Sequence, residues 1–232
     1  MYVGYMYGTS GSLVNNRTNA NNSTIKTTID NWYASNLEAK GYTKYISTTA
    51  VYCNDRSVTN GTYSTSSSFD YAARTRLQTN KTPTYDYTAT EDKFTVDSST
   101  GNGKLTYPIA LMTADEIIYA GGQNGNYNAN AWYFRNAKEG TLTTSSSSTD
   151  ASYSSTGSTY WLLLSPNYWD GSYAYVFGVY GSSSDPGYLS NNLVDNSNAV
   201  RPAVSLKSCI KYSTGNGSAS APYTIKETET GC

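Results

Sequence analysis

Three apolar, aromatic-rich runs dominate the last third of this chain: Tyr160 to Leu164 (YWLLL), Tyr173 to Tyr180 (YAYVFGVY) and Val200 to Leu206 (VRPAVSL). Runs of this length, rich in Tyr, Val and Leu and bounded by Gly, Asn, Asp and Pro, read as strands, and the three are expected to share one antiparallel sheet. The first half has a different period. Ser23 is placed to cap a helix in which Ile25, Ile29, Trp32 and Leu37 recur at roughly helical spacing, with Lys40-Gly41 as its stop. Phe69 to Leu77 (FDYAARTRL) has the Ala and Arg content of a second, short helix. A third starts at Thr113, whose spacing to Glu116 makes a capping box ahead of Ile117, Ile118 and Tyr119, and Gly121 ends it. An aromatic strand, Tyr2 to Tyr7, precedes them all. The order strand, helices, strands predicts an α+β fold.

A chain of 232 residues is long enough for one substantial core, and one domain spanning 1–232 is expected. Two stretches stand apart within it. Residues 145–158 are a low-complexity run with almost nothing to bury, read as a flexible insert. Residues 207–232 read as a terminal hairpin, with Ile210 to Tyr212 and Tyr223 to Lys226 flanking STGNGSASAP. Between the helical segments, Thr79 to Gly103 is polar surface loop with one short strand around Lys93 to Val96.

Composition removes several classes of function. Only 14% of residues are charged and the net charge is −1, so nothing attracts nucleic acid or anionic membrane electrostatically. Histidine is absent, which takes away the commonest general base and the commonest metal ligand together. No apolar run approaches the roughly 20 residues that span a bilayer. Cys53, Cys209 and Cys232 are too widely spaced for a metal-binding pair and point to disulfide chemistry, with one thiol left over. Cys209 and Cys232 bracket the terminal hairpin, where a bridge would contribute about 3 kcal/mol, and Cys53 would then be free. Few cysteines, many Asn and Ser and low charge suit an exported protein. The expectation is an extracellular domain held at the cell surface through a segment outside this sequence.

The 24 tyrosines, against 4 Phe and 4 Trp, admit two readings. Tyr combines an apolar ring and a hydroxyl with few rotatable bonds, the profile of evolved binding loops. It is equally at home in half-exposed sheets. Arg74 and Arg76 could serve anion binding but read first as a solvated helix face, Trp161 reads as core before paratope, and Arg201, which could bind a ligand carboxylate, reads first as a buried structural hydrogen-bond donor.

The segments YVGYMYG, CNDR, DYAARTRL, LTYPIALMTADEIIYAGG, WLLLSPN, AVRPAVSLKS and GNGSASAPYTI together resemble C-type-lectin-like domains related to formylglycine-generating enzyme. They are similar in particular to pilin-like surface proteins of gut bacteria and to the variable proteins of diversity-generating retroelements. The resemblance implies a short antiparallel sheet, two or three helices, long loops and paired termini. It also implies a ligand-binding surface built from Asn167 to Asn198, where most residues are Asn, Tyr, Asp, Ser or Gly and none is Lys, Arg, Glu, Gln or Met. Adenine-directed mutagenesis of Asn codons would yield that palette. The candidate ligand-binding residues are Tyr168, Trp169, Asp170, Tyr173, Tyr175, Phe177, Tyr188, Ser190, Asn191, Asn192, Asp195 and Asn196. Strand alternation puts Tyr173, Tyr175 and Phe177 outward with Val179 on their side, and Ala174, Val176, Gly178 and Tyr180 inward, so Tyr173, Tyr175 and Phe177 are expected to join Tyr168, Trp169, Tyr188, Asn191 and Asn192 in one exposed aromatic patch.

Catalytic members of the wider fold rely on a pair of active-site cysteines, and no cysteine here lies in such a motif, so the resemblance implies a non-catalytic domain. It also places a second cysteine where this chain has Tyr87, which would leave Cys53 without its partner. The Glu-Pro-Asn and Trp-Asn-Asp motifs of calcium-dependent lectins are missing. Trp169-Asp170-Gly171 and Ser184-Asp185-Pro186 only echo them, and Asp170, Asp185 and Asp195 read as turn formers. No metal or cofactor is expected. The functional expectation is a hypervariable receptor or adhesin that binds a protein or glycan on another cell, phage or host surface, with no contact to nucleic acid or membrane. The alternatives are a structural subunit of a surface fibre or pilus and a degenerate enzyme.

Overall fold

The computed structural model describes residues 2–3, 19, 21–64, 66–126, 128, 131–134, 160–181, 186–196, 198–218 and 220–232. Mixed α+β content is what these residues form. In chain order the strands are β1 (Tyr2–Val3), β2 (Tyr52–Cys53), β3 (Val58–Asn60), β4 (Phe69–Tyr71), β5 (Lys93–Phe94), β6 (Ala110–Leu111), β7 (Gln123–Asn124), β8 (Tyr160–Trp169), β9 (Ala174–Tyr180), β10 (Tyr188–Leu193), β11 (Asn198–Val200), β12 (Pro202–Ala203), β13 (Tyr212–Thr214) and β14 (Thr224–Ile225).

The helices begin where their caps predict. The Ser23 hydroxyl accepts the Lys26 amide at 3.1 Å and opens α1 (Thr24–Tyr33), which buries Ile25, Ile29 and Tyr33. The helix widens into a π turn over Ala34–Glu38, so Leu37 still packs on the core, and the chain turns away at Gly41 with φ +73°. FDYAARTRL differs from expectation at its start: Phe69–Tyr71 is strand, and the helix α2 (Ala72–Arg74) continues as a π turn over Thr75–Asn80. The capping box of α3 (Ala114–Tyr119) is complete, with Thr113 Oγ1 accepting from the Glu116 amide and Glu116 Oε2 accepting from the Thr113 amide.

Among the described residues the main sheet has eight strands, in the order β1-β11-β8-β9-β10-β7, with the β3–β4 hairpin joined through β4 to the far end of β8. It is mixed, not purely antiparallel: β11 runs parallel to β8, pairing Ala199 with Trp161, and β10 runs parallel to β7. Nor is Val200 to Leu206 one strand. β11 ends at Val200, Pro202 brings no amide to continue the ladder, and β12 pairs instead with β6. β8 runs past the YWLLL segment to Trp169, with the register slipping on both sides of Pro166, where an irregularity tolerates the missing donor.

Two cores flank this sheet. On one face α1 packs Ile25, Ile29 and Tyr33 against Leu162, Val176, Val200 and Tyr160, whose ring lies over Gly178 where no side chain intervenes. On the other, Ala73 and Leu77 after β4 and Ala114 and Ile117 of α3 pack against Trp161, Leu163, Phe177, Val179 and Leu189. The middle of β9 is therefore buried on both sides, with Val176 and Phe177 each 0% exposed. This overturns the one-sided alternation expected for YAYVFGVY: doubly covered strands read as continuous apolar runs, not as an inside and an outside.

A buried charge network ties the second layer together. Asp115, fully buried on α3, accepts from Arg76 Nε and Nη2 at 2.8 Å each, from the Thr84 amide at 2.9 Å and from the Tyr87 hydroxyl at 3.1 Å. Arg76 also donates to Asp55 at 2.8 Å. Arg76 is thus a structural linchpin and not part of a solvated helix face. Burial also pushes the Tyr87 hydroxyl well above its ordinary range.

At the C-terminus β13 and β14 form the expected hairpin, and Cys209 and Cys232 are disulfide-bonded. Cys53 is free and buried, and burial pushes its thiol up to about 12. The insert at 145–158 lies outside the described residues. No helix of the described residues is long and apolar enough to cross a membrane.

Candidate ligand-binding face

Beyond the doubly covered centre of the sheet, β8 and β9 project as a hairpin whose tip is Asp170 to Tyr173. Asp170 Oδ1 accepts the amides of Ser172 at 2.8 Å and Tyr173 at 2.7 Å, which fixes the turn and holds the carboxyl below its usual range. Gly171 takes the positive φ, +101°, that the turn requires. Tyr173 stands 53% exposed at the tip.

Immediately behind the tip, Tyr168 and Tyr175 are cross-strand partners, with rings 4.1 Å apart and 7° from parallel. The Arg74 guanidinium lies 4.2 Å from the Tyr168 ring, so cation and two rings form one ladder. Arg74 is held by Asp70 at 2.6 Å, and Asp70 in turn accepts from Asn60 Nδ2 at 3.1 Å. Burial and the adjoining Tyr175 hydroxyl push Tyr168 up to about 12. A cleft of about 320 Å³ runs alongside, lined by Asn60, Asp70, Arg74, Tyr168, Trp169 and Asp170 among others, a size within the range of small-ligand sites. Trp169 Nε1 is buried and has no hydrogen-bond partner among the described residues.

The predicted residues divide between two places. Tyr168, Trp169, Asp170, Tyr173 and Tyr175 gather at the tip. The turn after β10 joins them, because the Val194 amide donates to Ala174 O at 3.1 Å and so sets exposed Asp195 and Asn196 alongside. Asn192 builds that turn, its Oδ1 accepting from the Leu193 amide and from Asn196 Nδ2. Tyr188 does not belong to this group. It pairs with Tyr180 at the far end of β9, roughly 17 Å from Tyr175 at strand rise. Ser190 pairs with Gly178 and Asn191 with Phe177 along the middle of the sheet, half-buried and on opposite faces.

Phe177 is withdrawn from the face altogether, since it is core. So are the boundaries Asn167 and Asn198, at 0% and 5% exposed; Asn167 is a strand residue whose side-chain amide atoms find no hydrogen-bond partner among the described residues. The expected single aromatic patch is thus a smaller tip cluster plus a separate Tyr160–Tyr180–Tyr188 group.

Arg74, Asp70 and Asn60 are the residues that sequence reasoning missed here. Their signal was local, an Asp70–Arg74 spacing of four, but nothing in the sequence says that β4 pairs with the end of β8. Arg201 behaves as expected of a structural donor: it lies 4.0 Å from the Trp161 ring, donates to Tyr133 O and Phe134 O, and burial brings it down to about 10.

Residues 15–208 match the family model described as Domain of unknown function (DUF6273). The chain belongs to the DUF6273 family. No curated protein and no solved structure matches it. In this DUF6273 chain the matched stretch contains the whole tip cluster with Arg74, whereas the disulfide-bonded hairpin follows it.

Proposed function

We propose that this DUF6273 protein is a non-catalytic, surface-displayed ligand-binding domain of C-type-lectin-like fold, and that the β8–β9 tip with the adjoining Asp195–Asn196 turn recognises a protein or glycan on another cell, phage or host surface. The observation that carries the reading is the Arg74–Tyr168–Tyr175 ladder beside the cleft, with Tyr173 exposed at its end. Stacked aromatic rings flanked by amide and carboxylate groups offer contact area and hydrogen bonds with little side-chain entropy left to lose. The disulfide is consistent with an oxidising compartment. Exposed tip positions carrying Tyr, Asn, Asp and Ser fit diversification by a retroelement, as a hypervariable receptor or adhesin requires.

The test is direct. The fluorescently labelled domain is presented to a glycan array and to intact bacterial and host cells, beside a Tyr173→Ala/Tyr175→Ala variant whose fold is verified by near-UV circular dichroism. Binding that the folded variant loses supports the proposal. Binding that survives it, or no binding to any surface, refutes the assignment of the tip. Among close relatives, substitutions concentrated at exposed positions of 168–196 support diversification. Scatter over every loop would point to a fibre subunit instead.

A further inference from the structure

The terminal hairpin is amphipathic, and its apolar face is turned to solvent. Tyr212 and Ile225 are cross-strand partners and the Tyr212 and Tyr223 rings lie 5.0 Å apart, so the three side chains share one face. All three are exposed, Tyr212 and Tyr223 by 66% and 60%. Thr224 turns the other way, and its hydroxyl bonds those of Ser213 and Thr214. Every residue of β13 and β14 is exposed, and a hairpin of two strands is marginal in water by itself. This one is held only at its base, by the Cys209–Cys232 disulfide and by Lys44 Nζ and the Tyr45 hydroxyl, which donate to Thr228 O at 2.7 Å and 3.1 Å.

Its two edges differ. Between Tyr212 and Thr214 the pairing advances two residues along β13 against one along β14, a bulge of the kind that blunts an edge against further pairing. The edge of β14 is regular. The Lys226 amide donates to Lys211 O at 2.8 Å, which turns the Lys226 backbone toward β13 and, by alternation, that of Ile225 outward. The amides and carbonyls of Tyr223, Ile225 and Glu227 have no backbone partner among the described residues. We propose that this edge pairs with the same edge of a second copy, antiparallel about Ile225, as a closed two-fold dimer. The residues of the edge select that partner and that register. Turned about Ile225, Tyr223 meets the partner's Glu227, Thr224 meets the partner's Lys226, and the two Ile225 side chains meet on the axis. No like charges are opposed, and each outward amide and carbonyl from 223 to 227 gains a partner. Centring the pairing on Lys226 would set two lysines directly opposite. Centring it on Thr224 would set Glu227 against the partner's Ala221, whose amide and carbonyl are already bonded within the loop. Pairing about Ile225 joins two marginal hairpins into a sheet wide enough to be stable, and the two-fold consumes both edges, so association stops at the dimer.

Sedimentation velocity of the disulfide-intact 232-residue chain, from micromolar to millimolar concentration, is the first measurement. A reversible monomer–dimer equilibrium is expected; a monomer throughout, or growth beyond the dimer, overturns the proposal. Ile225→Lys, at an exposed position outside both cores, opposes like charges on the axis and is expected to weaken the dimer by roughly fivefold or more. Lys226→Gln is expected to leave it unchanged, and a dimer strengthened by that substitution would overturn the register. In the proposed pairing the two Ile225 Cα atoms stand about 5.5 Å apart, within disulfide range, so Ile225→Cys is expected to self-link on mild oxidation faster than Thr224→Cys or Lys226→Cys. Equal rates for the three refute the pairing. Tyr173→Ala is expected to leave the dimer intact, because no tip residue takes part; a dimer lost in Tyr173→Ala and kept in Ile225→Lys places the contact at the tip and overturns the proposal. Should Ile225→Lys unfold the hairpin, the cross-linking rates decide.

Discussion

Alanine substitution at Tyr173, Tyr175 and Phe177, one at a time, separates the tip from the core along a single line of alternating residues. Phe177 is 0% exposed and packs among Leu163, Val179 and Leu189. Its truncation is expected to cost about 3–5 kcal/mol, which at about 2–4 °C per kcal/mol for a chain of this size lowers Tm by roughly 6–20 °C. Tyr175 is half-buried and loses its stack on Tyr168, a contact of about 0.5–1.5 kcal/mol beyond area, so its cost is intermediate. Tyr173, 53% exposed, should cost within about 0.5 kcal/mol. Binding should follow the reverse order, with the cheapest substitution for stability among the most damaging to ligand recognition. Urea denaturation monitored by circular dichroism supplies one axis and affinity for whichever surface the domain recognises supplies the other. A Phe177→Ala variant within 1 kcal/mol of the parent, or a Tyr173→Ala variant as unstable as Phe177→Ala, would refute the two-sided burial of β9 on which the site rests.

Three further outcomes are expected. Asp115→Asn removes one of the two carboxylate charges that Arg76 joins inside the second layer; a loss of about 3–5 kcal/mol in urea titration is expected, and a loss below 1 kcal/mol would show that the network is not holding the π turn after α2 to α3. Cys53, with its thiol pushed up to about 12, keeps only about one thiolate in ten thousand at pH 8 and is buried besides. A disulfide-exchange reagent should therefore titrate no thiol in the native protein and one in denaturant, reactivity rising only as pH climbs toward 12; prompt native labelling at pH 8 contradicts this. Reduction of Cys209–Cys232 should raise amide hydrogen exchange across 209–232, where β13 and β14 are exposed, before β8 and β9 respond; simultaneous opening of both regions would show the bridge to be part of the central core's stability.

Local chemistry was what the sequence made legible. Ser23, the Thr113–Glu116 box, the terminal hairpin and its cysteine pair all act over a few residues or a short loop, and each is found where its spacing predicts. Non-local pairing was not legible. That β11 lies parallel to β8, or that β4 meets the end of β8, depends on how distant segments pack, and neither has a turn signature. The misassignment of Phe177 has a related origin: AYVFGVY is apolar at nearly every position because α1 covers one side and α2 and α3 the other, and alternation carries information only when one face is wet. Arg76 was misread because its partners, Asp55 and Asp115, stand 21 and 39 residues away. Among the proposed site residues, those at the hairpin tip stay together because a tight turn keeps them so. Tyr188, reached only after the chain has crossed to the other end of β9, does not.

Two cores cover the middle of β9 from both faces, which leaves the strand ends as the place for the proposed recognition surface. Residues in the middle of β8 and β9 answer to one core or the other, and substitution there disturbs packing that native proteins fill to crystal-like density. Past Pro166 the register slips, and the half-buried Tyr168 is covered by Tyr175 and by Arg74 of α2, while Asp170 and Tyr173 at the tip stand exposed. Asp170 and Tyr173 can change without a cavity opening beneath them. Yet they are not loose, because β4 pairs along the end of β8, the Asp170 carboxylate fixes the turn, and Arg74 is anchored to Asp70. A platform that is free to vary in side chain but fixed in backbone retains its pre-organisation through each change of sequence, and pre-organisation, more than contact area, is what converts a modest face into affinity.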